Sequence, residues 1–136
     1  SIGSLLQNLD QQQARRKMKR VIPLIIGDDL KYVDANAILG VEVLGRNCYV
    51  YAGKRSYPLL YKNMETALKE IGEPYCVRCH RSYAVNLKNV IDIQKLRRNI
   101  WSPVFPVETI FHCEISKSYY PRIMELYKEV LTNDLL

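Results

Sequence analysis

The sequence predicts a mainly β domain, built as an antiparallel sheet system with one short internal helix and a C-terminal helix. Short runs rich in β-branched and aromatic residues recur about every eight to ten residues from Val21 onward. Gly, Asp and Asn stand at the junctions between these runs, as is typical of hairpin turns. Helical patterns do not alternate with the strands, which favours antiparallel sheets over parallel βαβ units.

Size and composition bound the class of protein. The 136 residues, 48% of them hydrophobic, suffice for one domain with a core and are too few for two ordinary domains. No apolar run approaches the roughly 18–20 residues that span a bilayer, and the start lacks the features of a secretory signal. Four cysteines without an export signal indicate reduced thiols. We therefore expect a cytoplasmic protein with no membrane partner.

The positive charge is concentrated in two zones. The net charge is +6, and residues 15–20 alone contribute five positive charges. Residues 75–107 hold a second basic zone, which favours an anionic partner such as nucleic acid. We expect residues 1–20 to be a linker from an N-terminal domain that the sequence does not include, and residues 21–136 to be the domain. A basic arm that contacts phosphate is the alternative for the linker.

The first half of the domain is predicted as a series of hairpins. Gly27, Gly45 and Gly53 stand in the predicted turns. The predicted strands are 21–26, 30–34, 38–44, 48–52 and 56–59.

One helix is predicted between the hairpins. Asn63 is a suitable N-cap, and Met64, Leu68 and Ile71 form an apolar stripe at helical spacing. Gly72 follows as a stop signal. The helix is expected to pack on one face of a sheet.

The second half returns to strands and ends in a helix. The predicted strands are 75–79, 83–86, 90–95, 101–105 and 109–115, and Pro103 and Pro106 indicate that the fourth is an edge strand. Ser118 is the predicted cap of the last helix, with Pro121 in its first turn. The apolar face of this helix comprises Ile123, Met124, Tyr127, Val130 and Leu131.

Metal, haem and catalytic sites are poorly supported. Cys76, Cys79 and His80 have the C-x-x-C-H spacing of haem attachment, but side chains of neighbouring strand positions point to opposite faces. The same geometry weakens a zinc site, which needs four converging ligands, and a second C-x-x-C or H-x-x-H pair is missing. The chain has two histidines and no hydrolase, phosphate-loop or metalloprotease motif. We expect no metal, no cofactor and no enzymatic activity.

The segment 75–93 is the most informative part of the sequence. Arg78, His80, Arg81 and Ser82 precede an alternating apolar strand. Arginine and serine at a corner between strands can donate hydrogen bonds to phosphate, and arginine can also bind guanine. An internal role, in which His80 and Asn86 bond backbone groups, is equally open.

Three motifs resemble the LytTR DNA-binding domain of bacterial response regulators. Residues 78–86 match the family pattern R-x-H-R-S-[YF]-x-V-N, and residues 115–119 match I-S-[RK]-x-[YF]. Glu42 followed by Arg46 fits an acidic position and a basic turn in the first hairpin. The resemblance extends over residues 22–131.

The resemblance implies an elongated arrangement of antiparallel sheets that reads DNA with loops instead of a recognition helix. It places base contacts in two successive major grooves and backbone contacts between them. The first groove would be contacted by Arg46, Asn47 and Cys48, with Cys48 against a thymine methyl group. The corner between the grooves would comprise His80, Arg81 and Ser82. Ser116 and Lys117 would lie at the second groove.

The same resemblance implies a sequence-specific DNA-binding domain of a bacterial transcriptional regulator, as the effector of a two-component response regulator. Its expected partners are double-stranded DNA, a second copy of the chain on paired DNA repeats, and a sensor histidine kinase acting through an absent receiver domain. A thiol-based sensing or protein-interaction module on the same scaffold is the alternative, since Cys79 and Cys113 lie near two of the motifs.

Overall fold

The structure, a computed structural model, describes residues 2–8, 21–60 and 62–135. These residues form ten strands, all paired antiparallel, and three α-helices. The mainly β prediction is confirmed. Helix α1 comprises residues 2–8, and the basic run at 15–20 lies outside the described residues.

The strands form three sheets. The two-stranded sheet pairs β1 (Val21–Ile26) with β2 (Asp29–Asp34). The five-stranded sheet has the order β5-β4-β3-β7-β6, from β3 (Ile38–Leu44), β4 (Asn47–Ala52), β5 (Arg55–Leu59), β6 (Cys76–Arg78) and β7 (Tyr83–Asn86). The three-stranded sheet has the order β10-β9-β8, from β8 (Asp92–Arg97), β9 (Ile100–Val104) and β10 (Ile115–Ser116).

The internal helix α2 (Met64–Ile71) begins and ends where its caps predict. The side chain of Asn63 accepts a hydrogen bond of 2.8 Å from the backbone N–H of Thr66, which satisfies one of the free donors of the first turn. Gly72 ends the helix in the left-handed conformation, with φ at 66°. Met64, Ala67 and Ile71 are buried, so the helix covers the sheet with its apolar stripe.

The five-stranded sheet separates two hydrophobic cores. Strand β3 contributes Ile38 and Val41 to one core and Leu39 to the other, because a shift in its register between Ile38 and Gly40 interrupts the simple alternation of faces. The first core also contains side chains of β1, β2, β4, β5 and α2. The second contains side chains of β7, the segment 111–115 and the C-terminal helix α3 (Tyr120–Leu135). Both faces of the sheet are therefore covered.

The predicted strand 109–115 is wrong. Only Ile115 and Ser116 pair with β9, and residues 105–114 have no sheet pairing. Phe111, Cys113 and Ile115 are nevertheless buried in alternation with less buried neighbours. The alternating pattern that resembled a strand arises because this extended segment packs every second side chain into the second core.

The start of α3 also differs from the prediction. The carbonyl of Tyr119 accepts a bond of 3.0 Å from the N–H of Ile123, so the first helical hydrogen bond starts after Ser118. Ser118 lies in a turn and its hydroxyl contacts that of Ser116, at 3.4 Å. The buried face consists of Ile123, Tyr127 and Val130, whereas Leu131 is exposed.

An aromatic cluster holds the unpaired segment against the sheet. The ring of Phe111 stacks on Tyr51 with centroids 4.6 Å apart and meets the edge of Tyr83 at 6.0 Å. The same ring lies over Gly40 of β3, where a Cβ atom would stand 2.5 Å from Phe111 and 2.2 Å from the carbonyl oxygen of Ala84. Gly40 is required here because no side chain fits between β3, β7 and Phe111.

Candidate nucleic-acid interface

Two of the motifs meet at one end of the five-stranded sheet. The turn between β3 and β4 carries Arg46, and the loop between β6 and β7 carries Arg81. Because β3 pairs antiparallel with β7, the end of β3 lies beside the start of β7. The N–H of Val43 donates a 2.8 Å hydrogen bond to the carbonyl of Ser82. The turn and the loop are therefore neighbours.

The loop between β6 and β7 is fixed by its own hydrogen bonds. The carbonyl of Tyr83 accepts from the N–H groups of Cys79 and His80, at 2.9 and 3.2 Å. The Nδ1 atom of His80 accepts from the N–H of Ser82 at 3.0 Å. A neutral imidazole that accepts at Nδ1 carries its proton on Nε2. His80 thus orders the loop with one nitrogen and keeps a donor on the other.

Arg78 stabilises the loop between β6 and β7, a role that the sequence did not predict. Its Nη2 atom donates to the carbonyl of Arg81 at 3.2 Å, across the loop. This bond holds the backbone from which the Arg81 side chain projects. The motif contained Arg78, but only the folded loop brings its guanidinium to that carbonyl.

The third motif joins the same row through the backbone. The N–H of Ser116 donates to the carbonyl of Cys79 at 2.9 Å, which places the Lys117 turn beside the loop. The structure therefore brings all three motifs together in series. We call residues 45–47, 80–82 and 116–118 the contact edge.

The contact edge is positively charged. Arg46, Arg81 and Lys117 are exposed, and none forms an ion pair within the part of the chain that the structure describes. Of the nearby acids, Glu42 accepts a hydrogen bond from the Tyr51 hydroxyl at 2.8 Å, and Glu114 is paired with an arginine of β8. The three cations are therefore free to bind phosphate or base edges.

The remaining predicted site residues divide into two groups. Asn47, Ser82 and Ser116 are half-buried positions on the contact edge. Cys48 is fully buried in the first core, and its Sγ donates to the carbonyl of Lys62 at 3.0 Å. The expected contact between Cys48 and a thymine methyl group is wrong, because on β4 its side chain points to the face opposite Asn47.

A family model for the LytTr DNA-binding domain matches residues 28–128, most of the chain. The chain belongs to the LytTR family. None of the curated proteins compared with this LytTR domain matches it significantly.

The fold of this LytTR domain also occurs in a solved structure. It is similar to one described as the LytTr DNA-binding domain of a methyl-accepting/DNA response regulator from Bacillus cereus, with a TM-score of 0.61. The two chains are 20% identical, and the match covers 78% of this chain and 94% of the other. At this identity the likeness concerns the fold.

Asn86, the last polar residue of the middle LytTR motif, has an internal role. It is buried, and its Nδ2 donates to the carbonyl of Ile38 at 2.9 Å. Its Oδ1 accepts from the N–H of Lys88 at 3.3 Å. Asn86 therefore ties β7 to β3 and caps the 3-10 turn after it, as the internal interpretation of the motif predicts.

Two cysteines lie beneath the contact edge. The Sγ atoms of Cys79 and Cys113 are 3.5 Å apart, and both side chains are buried. Burial raises the pKa of the Cys113 thiol, and its hydrogen bond to Cys79 raises it further. Because the thiolate is the reactive form, these features weigh against thiol-based sensing and favour a packing role.

The buried Cys76 thiol and the half-buried Tyr83 hydroxyl make the stability of this LytTR domain sensitive to alkaline pH. Burial, followed by the nearby Cys79 and Glu73, raises the pKa of Cys76 from 9.0 to about 12. Burial, followed by Glu42, raises the pKa of Tyr83 from 10.0 to about 12.

Between pH 9.0 and about 12 the Cys76 thiol stays protonated in the folded chain and is ionised in the unfolded chain. Its contribution to the free energy of unfolding is therefore fully present below pH 9.0 and is lost as pH rises toward about 12. We expect the midpoint of thermal unfolding to fall steadily between these limits. The fall should be shallower in Cys76→Ala, compared with each protein's own midpoint at pH 8. An identical slope in the variant would contradict the assignment to Cys76.

The described residues offer neither a metal cluster nor a membrane-spanning helix. Within residues 2–8, 21–60 and 62–135 no cluster of three or more His, Cys, Asp or Glu side chains could hold a metal ion. In the same ranges no helix is both long and apolar enough to cross a bilayer.

Proposed function

We propose that this LytTR domain binds double-stranded DNA in a sequence-specific manner, as the effector part of a bacterial transcriptional regulator of the response-regulator type. The observation that supports this most strongly is the contact edge, where three turns joined by backbone hydrogen bonds present three exposed cations without an ion pair among the described residues. Cations on turns can enter grooves that a flat sheet face cannot. A cytoplasmic location follows from such a function.

The three turns are proposed to divide the work. Arg46 with Asn47, and Lys117 with Ser116, project from the two ends of the contact edge and are suited to base edges in two major grooves. Arginine and lysine prefer guanine, and asparagine prefers adenine. The central loop, with His80, Arg81 and Ser82, is suited to the phosphate backbone between the grooves.

The direct test is selection of bound duplexes from a random pool, followed by measurement of affinity against salt concentration. We expect a reproducible motif in two short blocks and a steep loss of affinity with salt, because each neutralised phosphate releases counterions. The variant with Arg46, Arg81 and Lys117 all changed to alanine serves as the negative control. A salt dependence without any selected motif would reduce the chain to a non-specifically basic protein.

We also propose that two copies bind paired repeats and that a sensor histidine kinase acts through a receiver domain. Paired repeats would appear in the selected duplexes as two copies of the motif, separated by a multiple of about 10 base pairs. Selected sequences that contain only single motifs, bound by one chain each, would contradict the dimer.

A further inference from the structure

A fourth turn extends the contact edge beyond Lys117. Strand β10 pairs with β9 so that Ser116 stands opposite Ile100. Arg98 and Asn99, which precede Ile100 in the chain, form the two-residue turn between β8 and β9. Asn99 has φ at 64°, a left-handed conformation that asparagine tolerates better than most residues. This turn is therefore held directly beside the Lys117 turn.

The two arginines of this hairpin differ in their environments. The Nη2 atom of Arg97 lies 2.7 Å from a carboxylate oxygen of Glu114, which anchors the hairpin to the segment that leads into β10. The neighbouring Arg98 is exposed and has no ion pair in the described ranges. The hairpin thus presents one free guanidinium from a braced backbone.

A shallow depression connects the two turns. Its volume is about 730 Å³, and it is lined by Asn99, Ile100, Ser116, Lys117, Ser118 and Pro121. Residues with amide, hydroxyl and ammonium side chains therefore line one concave surface, and Arg98 directly precedes Asn99 in the same turn. Such a surface can follow a convex polyanion such as the backbone of a duplex.

We propose that Arg98 is a further DNA contact, which binds a phosphate of the backbone beyond the base pairs reached by Lys117. The inference rests on the proposed DNA-binding function. A phosphate is the expected ligand because the turn lies at the outer end of the row and offers one planar guanidinium, whose donors match phosphate oxygens in pairs.

The test compares Arg98→Ala with Arg55→Ala on the selected duplex and on a scrambled duplex. Arg55 is also exposed, but it stands at the start of β5, at the end of the sheet opposite the contact edge. Arg98→Ala should weaken binding to both duplexes by about tenfold, as for the loss of one charge-assisted bond. The slope of log affinity against log salt should fall by about one. Arg55→Ala should leave both values unchanged.

Unchanged affinity in Arg98→Ala, or a loss confined to the selected duplex, would overturn the phosphate contact. Because Arg98 is exposed and outside the cores, the Arg98→Ala variant should have the same thermal unfolding midpoint as the unmodified chain. This measurement distinguishes the loss of a DNA contact from the loss of the fold. If the unmodified chain selects no motif, the proposed function itself fails. If it selects one and Arg98→Ala binds equally well, only the inference about Arg98 fails.

Discussion

Replacement of Gly40 by alanine is expected to lower the free energy of unfolding by about 3 kcal/mol, the upper part of the usual range for overpacking a core. The new Cβ would stand 2.2 Å from the carbonyl oxygen of Ala84 and 2.5 Å from the ring of Phe111. The ring could rotate, but the carbonyl belongs to the backbone of the neighbouring strand β7. Strands β3 and β7 would have to separate at the centre of the sheet. Urea-induced unfolding measures the loss.

The matched control is Gly3→Ala, because a Cβ at Gly3 would meet nothing within 4 Å. This variant should be at least as stable as the unmodified chain, because Gly3 lies in helix α1 and alanine favours a helix more than glycine does. Combining Gly40→Ala with Phe111→Ala should not restore stability, since the clash with Ala84 remains and a cavity is added. A loss below about 1 kcal/mol for Gly40→Ala, the typical effect of an ordinary substitution, would contradict the close approach.

The second large effect concerns the division of labour on the contact edge. Arg81→Ala is expected to weaken binding to selected and scrambled duplexes by the same factor, because a phosphate contact carries no sequence information. Lys117→Ala and Arg46→Ala should each cost about 1–3 kcal/mol on the selected duplex and relax the preference at particular base pairs. Titrations of each variant with both duplexes measure the two losses.

Arg55→Ala again controls for the simple removal of one positive charge. Its effect should be smaller than that of any change on the contact edge. Equal losses on both duplexes for Arg46→Ala, Arg81→Ala and Lys117→Ala would refute the division of labour, although not DNA binding itself.

Local signals in the sequence were sufficient to predict most elements of the fold. Helix α2 is bounded as predicted because its caps, Asn63 and Gly72, act within one turn of the chain. The predicted strands of the hairpins are close to the observed ones, since glycine turns and alternation are also local. The segment 109–115 was misassigned because alternating burial is common to a strand and to an extended segment without partners. Only the position of neighbouring strands distinguishes the two.

For the candidate site too, local motifs could be predicted from the sequence, whereas contacts between residues far apart in the chain could not. The resemblance gave the three motifs, but the bonds that join them link residues such as Cys79 and Ser116, far apart in sequence. A DNA contact of Cys48 could have been excluded on the sequence alone, because on an alternating strand Cys48 shares the inward face with Val50. The roles of Arg78 and Arg98 could not be assigned in this way, since they depend on a loop carbonyl and on the register of β9 with β10.

The backbone bonds that join the turns in series have a consequence for the operator. Bonds of 2.8 and 2.9 Å connect the first turn to the loop and the loop to the Lys117 turn, so the protein fixes the interval between Arg46 and Lys117. One base pair inserted between the two blocks would displace the second by about 3.4 Å along the axis and by about a tenth of a turn around it. DNA sites of this protein should therefore tolerate base substitutions between the two blocks far better than insertions or deletions of base pairs there.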